Sequence, residues 1–275
     1  MSSRFMADLR AGRAEFRFAA IMARDTGDST RDMTALIILL ATIATAMLSA
    51  VFGMAGGLIL MGVLAALLPV ASAMVVHGAV QSVSNGWRAV LLWRFLLWRT
   101  LAWYALGSIL AAAALASVSF VLPRAWLFIV LGLVPAIVWV PKAWLHLDFT
   151  RASHAALSGL LVTGLNVIAG VAGPLLDVFA QNVEADRRAI VATKAATQVA
   201  AHAVKIAYYL PLVLAGDGLA ISWWVLAAAI PLSVIGTTAG SRVLDAMSDV
   251  TFRNWTKRIV TVIGAVYVLR GVLLL

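Results

Sequence analysis

Two apolar stretches of this chain, 117 residues apart, carry matching rows of polar side chains at helical spacing. The first row is His77, Gln81, Asn85 and Arg88; the second is Lys194, Gln198, His202 and Lys205. Steps of four, eight and eleven residues, at about 100° per residue, confine each row to a stripe roughly 80° wide. Hydrocarbon offers such groups no hydrogen bonds, so both stripes must face protein or a wet cavity. The register holds without a gap back to residues 53–57 (GMAGG) and 170–174 (GVAGP). Paired polar stripes on duplicated halves, each preceded by a glycine-broken segment, point to a transporter site.

The surroundings of the rows are those of a membrane protein. Apolar residues make up 63% of the chain and charged residues 12%, with a mean hydropathy of +0.99. The apolar runs 33–68, 102–121 and 221–239 reach or exceed the ~20 residues that cross a bilayer. Cysteine is absent, which excludes disulfides, cysteine-ligated zinc and thiol chemistry. The formal charge of +9 sits mainly at helix ends, where it suits lipid headgroups and positive-inside anchoring rather than nucleic acid.

Residues 1–33 precede the first span. They are charged throughout and lack a continuous apolar core, so they do not read as a cleavable signal. Phe5, Leu9, Phe16 and Ala20 fall near one helical face, which fits an interfacial amphipathic helix; a partly ordered cytoplasmic tail is the alternative.

Hydropathy predicts an all-α polytopic protein with eight segments, at about 34–68, 72–93, 98–122, 124–140, 154–181, 187–214, 221–243 and 255–275. They group into two repeats of about four segments, 34–141 and 154–275, if the second carries a twelve-residue insertion aligning Arg124 with Arg253. The first segment of each repeat holds closely spaced glycines, Gly53, Gly56 and Gly57 in one and Gly170 and Gly173 in the other. Such clusters, with Pro174, predict breaks that leave backbone groups free; close helix packing through small residues is the competing reading. Arg94 and Arg99 with the N-terminal arginines place the 94–99 loop and the N-terminus together on the cytoplasmic side. Seven crossings fit the charges slightly better than eight, and an inverted repeat with two half-spans stays open.

Lys194 is the most informative single residue. A lysine near a span centre costs about 2.5–3.5 kcal/mol on insertion scales, so its presence needs a reason. Its counterpart is His77, and neither stripe contains a carboxylate, which suits an anionic cargo. The alternative is a structural ion pair with Asp177 or Glu184. Gln81 and Gln198 can orient an oxyanion without adding charge, or simply bond between helices. His202 aligns with Asn85, and His77 and His202 are the candidates for proton-dependent binding. Two histidines without carboxylate neighbours make a poor metal site, and no cofactor is implied. Asn166, Ser49 and Thr163 can add donors near the breaks. Arg88 and Lys205 lie nearer helix ends, where snorkelling to the interface is expected first and steering of cargo second.

Two four-segment halves, each opening on a glycine cluster (GMAGG, GVAGP) followed by a helix with Gln or Asn on one face, resemble the TauE/SafE family of sulfite exporters. The resemblance covers about residues 36–275. The family's glycine run is reduced here to Gly56-Gly57 and Gly173-Pro174, and Met61 and Asp177 stand where a proline commonly follows. It implies a multi-pass prokaryotic inner-membrane protein moving sulfite or organosulfonates.

The reading is a secondary transporter that exports a small sulfur oxyanion by alternating access between the repeats. Its expected ligands are His77, Gln81, Asn85, Lys194, Gln198, His202 and Asn166, with backbone donors at Gly53, Gly56, Gly57, Gly170 and Gly173. Its expected partners are the anion, membrane lipid and a possible second copy of the chain, without nucleic acid. A membrane scaffold or subunit is the competing class; an intramembrane enzyme lacks an evident nucleophile–base or paired-carboxylate set.

Overall fold

The structure is a computed structural model describing residues 31–52, 54–118, 120–141, 145–216, 218–245 and 249–275. Gly53 and most of the expected N-terminal segment lie outside the described residues. The described residues are helical, without strands. They form α1 (Arg31–Phe52), α2 (Met54–Leu67), α3 (Val70–Leu91), α4 (Trp98–Ala116) and α5 (Arg124–Leu133) in the first half of the chain. A 3-10 stretch, Val134–Trp139, extends α5. The second half holds α6 (Ala152–Ala169), α7 (Gly173–Ala180), α8 (Arg187–Ala215), α9 (Trp223–Asp245) and α10 (Asp249–Val272).

Each glycine cluster divides a long apolar segment in two. In the second half the break is explicit: α6 ends at Gly170, whose φ of 80° suits a residue without Cβ. Pro174 then sits in the first turn of α7, where its missing N–H costs nothing. In the first half α1 and α2 flank Gly53, while Gly56 and Gly57 lie inside α2 rather than at the break. Glycine is required at 56 for another reason: a Cβ there would stand 2.0 Å from the Thr45 carbonyl oxygen. The two pieces therefore fold back closely on each other.

Among the described residues five helices, α1, α4, α6, α8 and α9, are long and apolar enough to cross a bilayer. With 14 and 8 residues, α2 and α7 reach only about 21 and 12 Å, short of the ~30 Å hydrocarbon layer. The amide of Phe149, before α6, donates to Phe179 O near the end of α7 at 3.0 Å, so that hairpin returns to the end it started from.

Close contacts give the directions of the others. Gly78 faces Ile206 while Gly86 faces Val199, so α3 and α8 are antiparallel. Gly132 meets Gly264 and Gly271 meets Ala125, so α5 and α10 are antiparallel too. The polar contacts Ser72–Ala220, Ser84–Thr237 and Trp87–Thr238 run α9 parallel to α3. Gly236 and Gly240 pack on Ile43 O and Met47 O, making α1 parallel to α9. The start of α1 and the 94–99 loop consequently lie at opposite ends of the bundle, which corrects the expectation that they share a side. The cause is the α1–α2 hairpin, which brings the chain back before α3 carries it across.

The core collects Leu58, Met61 and Leu64 of α2, Met74 and Val76 of α3, Leu127 and Leu131 of α5 and Tyr209 of α8. Exposed Leu106, Ile109, Leu110, Val262 and Val266 face outward with exposed Trp93, Trp98, Trp139, Trp223 and Trp255. In a lipid environment these form the apolar wall and its aromatic interface.

Small residues set the α4–α6 contact. A Cβ at Gly159 would stand 2.0 Å from Tyr104 O, whereas one at Gly164 meets nothing within 4 Å. Gly159→Leu should therefore lower stability by ~1–3 kcal/mol or more through overpacking. Gly164→Ala should be neutral or stabilise by up to ~1 kcal/mol. Thermal scans of the purified protein in detergent read both; equal melting temperatures would mean that α4 and α6 do not touch there.

Candidate functional site

Antiparallel packing of α3 on α8 brings the two polar rows face to face in opposite order. Seven of the eight row residues line one cavity of about 660 Å³: His77, Gln81, Asn85 and Arg88 from α3, and Lys194, Gln198 and His202 from α8. The tips of both broken hairpins complete it, with Ser49 and Gly57 on one side and Ala172 and Gly173 on the other. The start of α2 and the start of α7 both face the cavity, so two positive helix ends add to its potential.

At its closed end lies the eighth residue. Lys205 is fully buried, and its Nζ donates to His77 Nδ1 and to Gly170 O, each at 2.8 Å. His77 Nε2–H in turn donates to Gly57 O at 2.9 Å. This tautomer follows from the bonds: the Gly57 carbonyl can only accept, which leaves Nδ1 to accept from lysine. A single donor chain thus ties α2 to the α6 terminus through α3 and α8. Lys205 does not snorkel, contrary to expectation. Gly78, which lacks a Cβ, lets the lysine Cε pass at 3.3 Å from where a Cβ would stand, and the free carbonyl at the C-terminal end of α6 accepts from its Nζ.

His202 stands beside His77, ring edge to ring face, with centroids 5.5 Å apart. Asn166 Nδ2 contacts its Nδ1 at 3.3 Å, leaving the Nε2 edge for the cavity. Asn166 is fully buried and its Oδ1 has no hydrogen-bond partner, so the carboxamide can present either face to the ring. Asn166 therefore holds a cavity residue rather than lining the cavity itself. Gly56 and Gly170 do not line it either: Gly56 packs on α1, and Gly170 gives its carbonyl to Lys205 beneath Met61 and Met74. Gly53 lies outside the described residues.

Lys194 forms an ion pair with Asp177 of α7, with both side chains 30% exposed. Of the two expectations for this lysine, the pair is present and the cavity position is present as well. Asn85 Nδ2 donates to Gln81 O at 3.0 Å, and Gly57 leaves room for the Gln81 carboxamide. Arg88 faces the cavity instead of the interface, and its Nη2 is buried without a hydrogen-bond partner.

Arg187 and Arg188 at the start of α8 also line the cavity, and the sequence reading missed them. A signal was present: two adjacent cations at a helix N-terminus oppose the macrodipole, an arrangement that needs another reason. The cavity thus carries Arg88, Arg187, Arg188 and Lys194 against one carboxylate, Asp177.

The family model "Sulfite exporter TauE/SafE" matches residues 37–267 of the chain. The chain belongs to the TauE/SafE family. No curated protein and no solved structure matches it. TauE/SafE membership makes it a membrane transporter of the sulfite-exporter type, in a family of transporters rather than enzymes. For a TauE/SafE protein, a cation-lined cavity between the two polar helices is chemically apt.

His77 has both ring nitrogens engaged in the buried chain, whereas Gln81 faces water-accessible space. His77→Leu leaves Lys205 and Gly57 O each short of a partner, a loss of ~1–3 kcal/mol per neutral group and more for a charged one. Gln81→Leu should cost far less. Melting temperatures in detergent test this, and an equal loss from both would show that the His77 bonds do not contribute to stability.

Proposed function

We propose that this TauE/SafE protein exports a small sulfur oxyanion, sulfite or an organosulfonate, by alternating access at the cavity between α3 and α8. The observation that carries the reading is the convergence of seven row residues on one cavity with four cations and one carboxylate. Its volume exceeds the needs of a four-atom oxyanion, and Val51, Leu91, Val171 and Leu176 can accept a carbon tail. Arg88 and Lys194 would bind the charge, Gln81, Asn85 and Gln198 would orient it, and the Nε2 edge of His202 would add a donor. Gly57 and Gly173 would bring the backbone at both hairpin tips close to the cargo.

The repeats 34–141 and 154–275 would form an inverted pair, each a hairpin followed by crossing helices. The antiparallel pairs α3/α8 and α5/α10 support this, because a two-fold axis in the membrane plane reverses each equivalent helix. The open end would face the cytoplasm of a prokaryotic inner membrane. Arg94, Arg99, Arg151, Arg187 and Arg188 cluster at that end, in or beside short loops, in keeping with the positive-inside tendency. An exporter that collects its anion there needs its cations on that side.

Counterflow of radiolabelled isethionate (2-hydroxyethanesulfonate) and sulfite into liposomes tests the assignment. Arg88→Gln and Lys194→Gln should each lower isethionate affinity about tenfold, since each removes a charged partner in a partly desolvated site. A folded protein that moves neither anion would return the chain to the scaffold class. Isethionate stays ionised at all working pH values, so its affinity isolates the histidine. Imidazolium adds a charge and a second donor, so affinity should be greatest at low pH and fall as pH rises. His202→Gln should flatten the profile; a flat profile in the parent protein would remove His202 from proton coupling.

A further inference from the structure

The 117-residue offset between the rows makes the cavity asymmetric in an informative way. Three equivalent pairs, His77/Lys194, Gln81/Gln198 and Asn85/His202, line the cavity with both members. Beyond them only one member of each pair does. Arg88, Leu92 and Val191 line the open end; their equivalents Lys205, Tyr209 and Met74 are buried and lie outside it. Arg88 keeps an unpartnered Nη2, whereas Lys205 has its Nζ bonded to His77 and Gly170. Tyr209 is likewise latched, its hydroxyl donating to Val167 O at 3.1 Å. The same positions are thus open in one half and fastened in the other.

We propose that Lys205 is an oxyanion-binding residue of the opposite-facing state, in a second vestibule formed when Met74, Lys205 and Tyr209 are uncovered. The proposal rests on the transporter reading. An inverted pair of repeats can exchange conformations, so the half now closed adopts the arrangement of the half now open. Lys205 then trades Gly170 O for the cargo and occupies the place that Arg88 holds at the present mouth. The two faces differ in charge: Arg187, Arg188 and Asp177 have Val70, Ala71 and Leu60 as their equivalents. One face captures with several cations; the other holds the anion with Lys205 and His77 and releases it more readily.

The absence of cysteine makes the test direct. Single cysteines are introduced as Val191→Cys, Met74→Cys and Tyr209→Cys, and the proteins are reconstituted in liposomes. A membrane-impermeant methanethiosulfonate reagent is applied from either side, with and without isethionate. Val191→Cys should react from one side, and Met74→Cys and Tyr209→Cys from the other, with isethionate changing their rates in opposite directions. Reaction of all three from the same side, or no reaction at both 74 and 209 in proteins that show counterflow, overturns the second vestibule. Isethionate counterflow by the unsubstituted protein reads the transport assignment separately. If that fails while 74 and 209 still react from the side opposite 191, the vestibule stands and the cargo is wrong.

Lys205→Met supplies the residue-level test. It should slow counterflow at least tenfold while changing isethionate affinity at the present mouth by less than threefold. Arg88→Met should show the reverse emphasis, with affinity lost first. Equal loss of mouth affinity in both variants would make Lys205 part of the present site and overturn its assignment to the other face.

Discussion

A lysine side chain buried in a membrane helix is the constraint around which this molecule is arranged. Lys205 has no carboxylate partner among the described residues; a carbonyl and an imidazole hold it instead. Hydrocarbon cannot supply those bonds, so the helices carrying Gly170 and His77 must pack against α8 at that point. Gly78 makes this possible, since a side chain there would collide with Ile206 and crowd the lysine stem. The glycine break that frees the α6 terminus is likewise part of the solution: it turns the end of a helix into an acceptor at membrane depth.

The same chain of bonds separates a closed end from an open one. At the closed end Lys205 and His77 have their polar atoms engaged with one another and with the carbonyls of Gly57 and Gly170. Toward Arg88 the cavity is wide, and Arg88 Nη2 still lacks a partner. A buried guanidinium nitrogen without a partner at the wide end leaves donor capacity there for a ligand or water. The Lys194–Asp177 pair adds to this, because a partly exposed ion pair at the cavity wall keeps a cation in place without fully neutralising its surroundings.

Membership of the TauE/SafE family agrees with this architecture and assigns its general work, the export of sulfite-type compounds across a membrane. The structure adds the molecular detail through which that work is to be tested. It supplies a cavity between antiparallel polar helices, two glycine-broken hairpins at its walls, and arginines at one mouth. Each is a consequence of placing glycine-broken, polar-striped helices in a medium that cannot hydrogen-bond.

The sequence by itself determined the helical membrane class, the two polar stripes and the segments that would break. Those features depend on local periodicity and on what lipid forbids, and both can be read one helix at a time. Six stripe residues, His77, Gln81, Asn85, Lys194, Gln198 and His202, were legible as cavity-facing for the same reason. Other features depended on which helix ends meet. Arg88 and Lys205 look alike in sequence, each near the end of a polar row, yet antiparallel packing leaves one at an open mouth and seals the other beneath Gly170. Asn166 reads as a donor to cargo but spends its amide on His202. Arg187 and Arg188 read as a helix end, and only the approach of α3 makes them a cavity wall. Tertiary structure decided these roles because a hydrogen bond between residues 128 positions apart, such as Lys205 to His77, has no local signature in the chain.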